Sequence, residues 1–310
     1  MTRRERALPL VLALGAFALA LAQRPGWASS DTKVDLHVSP GRFLADVASV
    51  WTESGSLGHV QGGQYGGYLF PMGPFFALGH AAGLAPWLVH RLWLGALLAL
   101  AAWGTVRLLD DLAGRPRGAA HVVAATMMVL NPYVVVFSAR TSVTLLAYAV
   151  LPWLLLAVHR GVRRPEGWWW PALFALAVTA SGGGVNAAVT AWVLAGPALL
   201  LGYEVLTGLP ARAALAFALR TIVLTAVASL WWVGPILAQA RYGIDFLEFT
   251  EQQGTIWGTT SVSESLRLMG YWVSYIGVGF HGATRPYFSG AGTLLYAPLV
   301  VAAMLLVPAL

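Results

Sequence analysis

The spacing of its apolar runs constrains this chain more than any other feature. Runs long enough to cross or nearly cross a bilayer recur at about residues 7–22, 87–109, 118–137, 142–158, 168–180, 187–206, 213–237 and 291–310. A hydrocarbon core takes ~20 apolar residues per helix and offers no water to an exposed backbone, so such runs fold as helices. Only 10% of the residues are charged, against about 25% in an ordinary soluble domain, so the chain cannot clothe itself in polar groups and takes the bilayer as its solvent. The reading is an all-α polytopic membrane protein, a single transmembrane domain over residues 1–310.

The basic residues orient it. Leu69 to Leu84 is apolar but broken by Pro71, Gly73, Pro74 and Gly79. If that stretch does not cross, eleven arginines and five acids fall on one side, while the other eight basic and eight acidic residues balance. If it crosses, Arg115, Arg117, Arg163 and Arg164 move to the outside, against the positive-inside bias of short loops. It is therefore re-entrant or interfacial, and two large loops, 23–86 and 238–290, face outward. The amino end is basic and Ala20-Leu21-Ala22 resembles a leader cleavage site; the many later spans favour an uncleaved first helix. Either way Asp31 lies outside. The net charge of +6 thus sets membrane orientation rather than nucleic-acid binding. Cysteine is absent, which removes disulfides and thiolate chemistry.

The first outer loop carries the polar chemistry. Ser39-Pro40 reads as a helix start, and Phe43, Leu44, Val47, Val50 and Trp51 then share one face, so an interfacial helix is expected from Ser39 to about Thr52. A glycine-rich stretch, Gly55 to Gly67, follows without the Gly-Lys-Ser/Thr of a phosphate-binding P-loop. Asp31 and Asp35 stand four residues apart beside the end of a span. A carboxylate held against apolar walls moves towards the range of a general base, and two close carboxylates couple. Carboxylates suit Mg²⁺ or Mn²⁺, but nothing in this spacing demands a metal. His37 and His59 lack zinc-ligand spacing and read as surface or interfacial side chains. No Gly-x-Ser-x-Gly elbow occurs. In the second loop, Asp245, Glu248, Glu251 and Glu264 mix with Arg241, Arg267 and Arg285 among aromatics that suit either sugar stacking or an interfacial belt.

Asp31-Thr32-Lys33-Val34-Asp35-Leu36, Phe43-Leu44, Trp51 and Gly63-Gln64-Tyr65-Gly66-Gly67-Tyr68-Leu69-Phe70-Pro71 closely resemble the start of actinobacterial α-(1→3)-arabinofuranosyltransferases of the AftD type. Arg91-Leu92-Trp93, Asn131-Pro132-Tyr133, Ser181-Gly182-Gly183 with Asn186, and Trp231-Trp232 extend the likeness along the chain. The resemblance implies a GT-C helix bundle whose active site lies in the first outer loop, in a plasma-membrane enzyme of which this chain is the amino-terminal part. It implies transfer of arabinofuranose, with inversion, from a polyprenyl-phosphate donor to an arabinan acceptor of the cell envelope. Asp31 maps onto the family's catalytic aspartate, with Asp35 as its nearest rival. Lys33, Arg42 and Arg267 are the candidate phosphate partners, and Tyr68 and Glu251 further substrate contacts. Two rival readings are another GT-C transferase, such as a mannosyltransferase, and a lipid-carrier flippase; a flippase should carry charge in mid-span.

Overall fold

A computed structural model of the chain describes residues 3–28, 33–53, 57–60, 63–114, 116–138, 141–164, 166–243, 253–258, 262 and 265. The long apolar runs are helices: α1 (Arg3–Leu21), α5 (Pro86–Ala113), α6 (Ala119–Val129) with α7 (Pro132–Ser138), α8 (Val143–Gly161), α9 (Trp169–Thr179), α10 (Ala187–Leu206) and α11 (Ala211–Tyr242). Between α1 and α5 lie α2 (Val34–Val38), α3 (Pro40–Val47), a two-residue hairpin of β1 (Trp51–Thr52) and β2 (His59–Val60), a 3₁₀ helix (Gly63–Leu69) and α4 (Met72–Ala81). A short α12 (Gln253–Gly258) follows α11. Helices α5, α8, α10 and α11 are each long and apolar enough to cross a membrane, and the bent α6–α7 pair makes a fifth candidate. Seven of the eight expected spans fall on these helices; 291–310 lies outside the described residues.

The bend between α6 and α7, 46°, has a local cause. Pro132 opens α7 without an N–H to give, and the fully buried Asn131 serves both helix ends. Its Nδ2 donates to the carbonyls of Met127 (3.0 Å) and Met128 (3.1 Å) and to the Tyr148 hydroxyl (2.8 Å), while its Oδ1 accepts from Val134 N (3.1 Å). Backbone groups freed by the break are thus satisfied inside the protein, as an apolar surrounding requires.

Helices α1 and α8 both pack on α5, and α9 and α11 continue from α8. At the end of the bundle away from the first loop, carboxylates close on cations. Arg117 grips Asp110 with three hydrogen bonds (2.9, 3.2 and 2.7 Å), Arg160 pairs with Asp111, and Glu204 of α10 accepts two from Arg163 (both 2.9 Å) beside His159. The Trp168–Trp170 run lies at this end: Trp168 and Trp169 are exposed, while Trp170 is buried under the Arg160 guanidinium.

The loop segment departs from the expected single interfacial helix. Ser39 occupies the helix start but its hydroxyl makes no cap; its backbone links α2 to α3, N–H to Asp35 O (2.8 Å) and C=O from Phe43 N (3.0 Å). Helix α3 ends at Val47, so Phe43 and Val47 bury their side chains but Val50 and Trp51 do not. Ser49 Oγ accepts from Trp51 N (3.1 Å), turning the chain into the hairpin. There the Trp51 indole lies against Gly58, where a Cβ would come within 2.6 Å of the ring, and the positive φ of 91° suits only glycine. Helix α4 is ten residues, ~15 Å at 1.5 Å per residue, too short to cross a ~30 Å hydrocarbon layer.

Candidate active site

The end of the bundle under the first loop is built on the start of α5. Helix α2 turns Leu36 and His37 inward and leaves Asp35 exposed. His37 stacks edge-on against Phe76 (4.6 Å between centroids) and lies 5.2 Å from the buried His90 of α5. The expectation of a surface histidine holds for His59 but not for His37, which the short helix α2 folds onto α5. Next to His90, Arg91 is 3% exposed and gives one guanidinium nitrogen to the Gln23 side-chain oxygen and another to the Trp27 carbonyl (2.7 Å). Arg91 so ties the chain leaving α1 to the first turns of α5, using neutral acceptors.

On the far side of the loop, the 3₁₀ helix rests on the turn between α9 and α10. A Cβ on Gly67 would sit 2.1 Å from the Gly184 carbonyl carbon, so the two backbones meet with no room for a side chain. Gly66 lies over Pro235 of α11, and Gly184 over Trp232. The turn is itself pinned. Ser181 Oγ donates to Val178 O (2.7 Å), and Asn186 Oδ1 accepts from Ala188 N (3.0 Å) to start α10. Those contacts give physical meaning to Ser181-Gly182-Gly183 and Asn186, which the sequence marks only by resemblance.

Among the candidate site residues, Lys33 is half-buried with its ammonium 4.0 Å from the centre of the Tyr65 ring. Among the described residues it meets no carboxylate. Tyr68, expected as a substrate contact, is 1% exposed and set edge-on to Phe43 (5.8 Å); it belongs to the core, and Tyr65 is the tyrosine at the rim. Arg42 is exposed on α3, and Asp35, exposed on α2, lacks the apolar enclosure expected of it. Asp31, Glu251 and Arg267 lie outside the described residues. No group of three His, Asp or Glu side chains suited to a metal occurs among the described residues. Tyr65, His90 and Arg91 are the components that sequence reasoning missed. Tyr65 and Arg91 entered the sequence reading only inside the motifs that carry the resemblance, without a role, and no sequence spacing links Arg91 to Gln23.

The family described as "Alpha-(1->3)-arabinofuranosyltransferase, N-terminal GT-C domain" matches residues 15–310. The α-(1→3)-arabinofuranosyltransferase of Mycobacterium tuberculosis is 35% identical over 301 residues, which cover 96% of this chain and 21% of that protein. Its counterpart in Mycolicibacterium smegmatis is 31% identical over 266 residues, covering 86% and 18% respectively. The chain therefore spans about a fifth of the length of these relatives. A cryo-EM structure of the arabinofuranosyltransferase AftD from Mycobacteria superposes with a TM-score of 0.72 at 32% identity, over 86% of this chain and 19% of the other. With the bent helix pair, the loop seated on α5 and the glycine contact beneath it in place, the sequence match extends over nearly the whole fold. The chain belongs to the α-(1→3)-arabinofuranosyltransferase N-terminal GT-C domain family.

Proposed function

We propose that this chain supplies the catalytic end of a plasma-membrane glycosyltransferase that moves arabinofuranose from a polyprenyl-phosphate donor to an arabinan acceptor. The observation that carries this reading is Lys33, a half-buried cation at the loop end that, among the described residues, rests on a ring and meets no carboxylate. A lipid-linked donor brings its phosphate to the bilayer surface, and an ammonium left unneutralised there can take it. Eleven of the nineteen basic residues belong to the other side, so the positive-inside bias turns the loop end outward.

The reaction balances in one displacement. The acceptor hydroxyl oxygen forms a bond to the anomeric carbon as the bond from that carbon to the phosphate oxygen breaks. The phosphate leaves on its lipid with the bonding electrons, and Asp31 takes the hydroxyl proton. Attack from the face opposite the leaving group converts a β-linked donor into an α-linked product. Lys33 steadies the charge that grows on the phosphate, and Arg42 stands within the same loop. Glu251 and Arg267 of the second loop complete the proposed set. A divalent cation is not needed for this balance.

Described helix centres carry almost no charge, which favours a surface enzyme over a flippase with a polar path. The test is to incubate the protein in membranes with radiolabelled lipid-linked arabinofuranose and an arabinan acceptor. Label entering the arabinan supports the reading. Transfer from lipid-linked mannose instead, or movement of the lipid across the bilayer without transfer, overturns it.

A further inference from the structure

Why should the proposed phosphate partner rest on an aromatic ring? A carboxylate beside Lys33 would hold the ammonium in place but would cancel its charge and compete with an incoming anion. A ring face attracts the cation through its quadrupole and leaves the full positive charge for a ligand. Tyr65 is placed for this by three contacts outside itself: Gly67 against Gly184, Gly66 beside Pro235, and Tyr68 against Phe43. The 3₁₀ helix that carries Tyr65 is thereby fixed to the α9–α10 turn and to α11, while Lys33 sits at the start of α2, which is packed on α5.

We propose that Tyr65 is a positioning residue that holds the Lys33 ammonium over its ring, so that the loop end binds the phosphate of a prenyl-phosphate substrate in preference to the matching uncharged lipid. This rests on the reading of Lys33 given above. Tyr65 touches no reacting atom; it acts through Lys33, whose long side chain would otherwise sample many rotamers. The ring face matters and the hydroxyl does not.

The experiment measures binding of geranylgeranyl phosphate and of geranylgeraniol to the protein in lipid nanodiscs, for the wild type and for Tyr65→Phe, Tyr65→Trp, Tyr65→Leu and Lys33→Met. The wild type should favour the phosphate, and Lys33→Met should abolish that preference. Tyr65→Phe and Tyr65→Trp should keep it within about twofold, since each retains a ring face. Tyr65→Leu should weaken phosphate binding by roughly threefold to tenfold, the range for losing one such contact, and leave the alcohol unchanged. In transfer assays the same variant should raise the donor KM more than it lowers kcat. If Tyr65→Leu weakens both lipids alike, or the Trp variant fails with it, Tyr65 is merely structural and the proposal falls. If Lys33→Met loses the preference but Tyr65→Leu keeps it, Tyr65 is overturned while Lys33 stands. If Lys33→Met still prefers the phosphate, the reading beneath the proposal falls first and takes the proposal with it.

Discussion

The two ends of the helix bundle differ in how they hold positive charge. Away from the first loop, three arginines are closed by carboxylates, Arg117 on Asp110, Arg160 on Asp111 and Arg163 on Glu204, while Arg220 lies over the Trp168 ring. Under the loop, Arg91 rests on an amide oxygen and a carbonyl, and Lys33 on a ring. A cation matched by a carboxylate has its field cancelled and serves to tie helices together. A cation held by neutral groups keeps its field, which is costly near an apolar interior unless an anion arrives to use it. The paired end is architecture, and the open end keeps the field that the proposed function assigns to an anionic substrate.

The contrast can be broken in several ways. The largest expected difference is all-or-none. The chain has no cysteine, so a cysteine placed at Gly63 should react with an impermeant thiol reagent on intact cells, and one at Gly114 should not. Labelling at Gly114 would put the paired end outside.

Next in size, Lys33→Met should raise the donor KM by about 10- to 100-fold, the loss expected for a hydrogen bond to a charged group. Arg163→Met, at the paired end, should leave the donor KM within twofold. Equal effects would erase the distinction between the ends.

A smaller, purely steric effect is expected at the seat of the loop. Gly67→Ala forces a methyl into the Gly184 backbone and should cost ~1–3 kcal/mol, read as a lowered Tm in detergent. Its neighbour Gly66, where the nearest atom to a new Cβ is 3.6 Å away on Pro235, should accept alanine without loss. If the two variants melt alike, the backbone contact does not support the loop.

The smallest effect is on stability at the paired end. Arg163 is 47% exposed, so Arg163→Met should cost no more than about 1 kcal/mol despite its two short contacts to Glu204.

The spans were legible because a run of apolar residues of membrane length has few alternatives. The expected span 187–206 coincides with α10, and 87–109 and 213–237 lie inside α5 and α11. What hydropathy could not show is the break at Asn131, since one polar residue scarcely changes the mean of a long window while its side chain re-ends two helices. The loop was half legible. Phe43 and Val47 follow the helical period, but Trp51 is decided by its pairing with Val60 and the space over Gly58, both non-local. The site was least legible, because Arg91 with Gln23, Tyr65 with Lys33 and Gly67 with Gly184 join residues far apart in the chain. No periodicity reports such pairs; only the packed bundle brings them together.

The central claim is that transfer takes place at the open end, with Asp31 as base, and that the paired end only holds the fold. Turnover with labelled lipid-linked arabinofuranose, measured for Asp31→Asn beside Asp35→Asn and Asp110→Asn, tests it most directly. Asp31→Asn should insert normally, bind donor nearly as the wild type does, and lose roughly 10²- to 10⁴-fold in turnover, the range for a positioned general base. Asp35→Asn should lose less, and Asp110→Asn should keep its turnover. A fully active Asp31→Asn, or a dead Asp110→Asn that is still folded, would contradict the account.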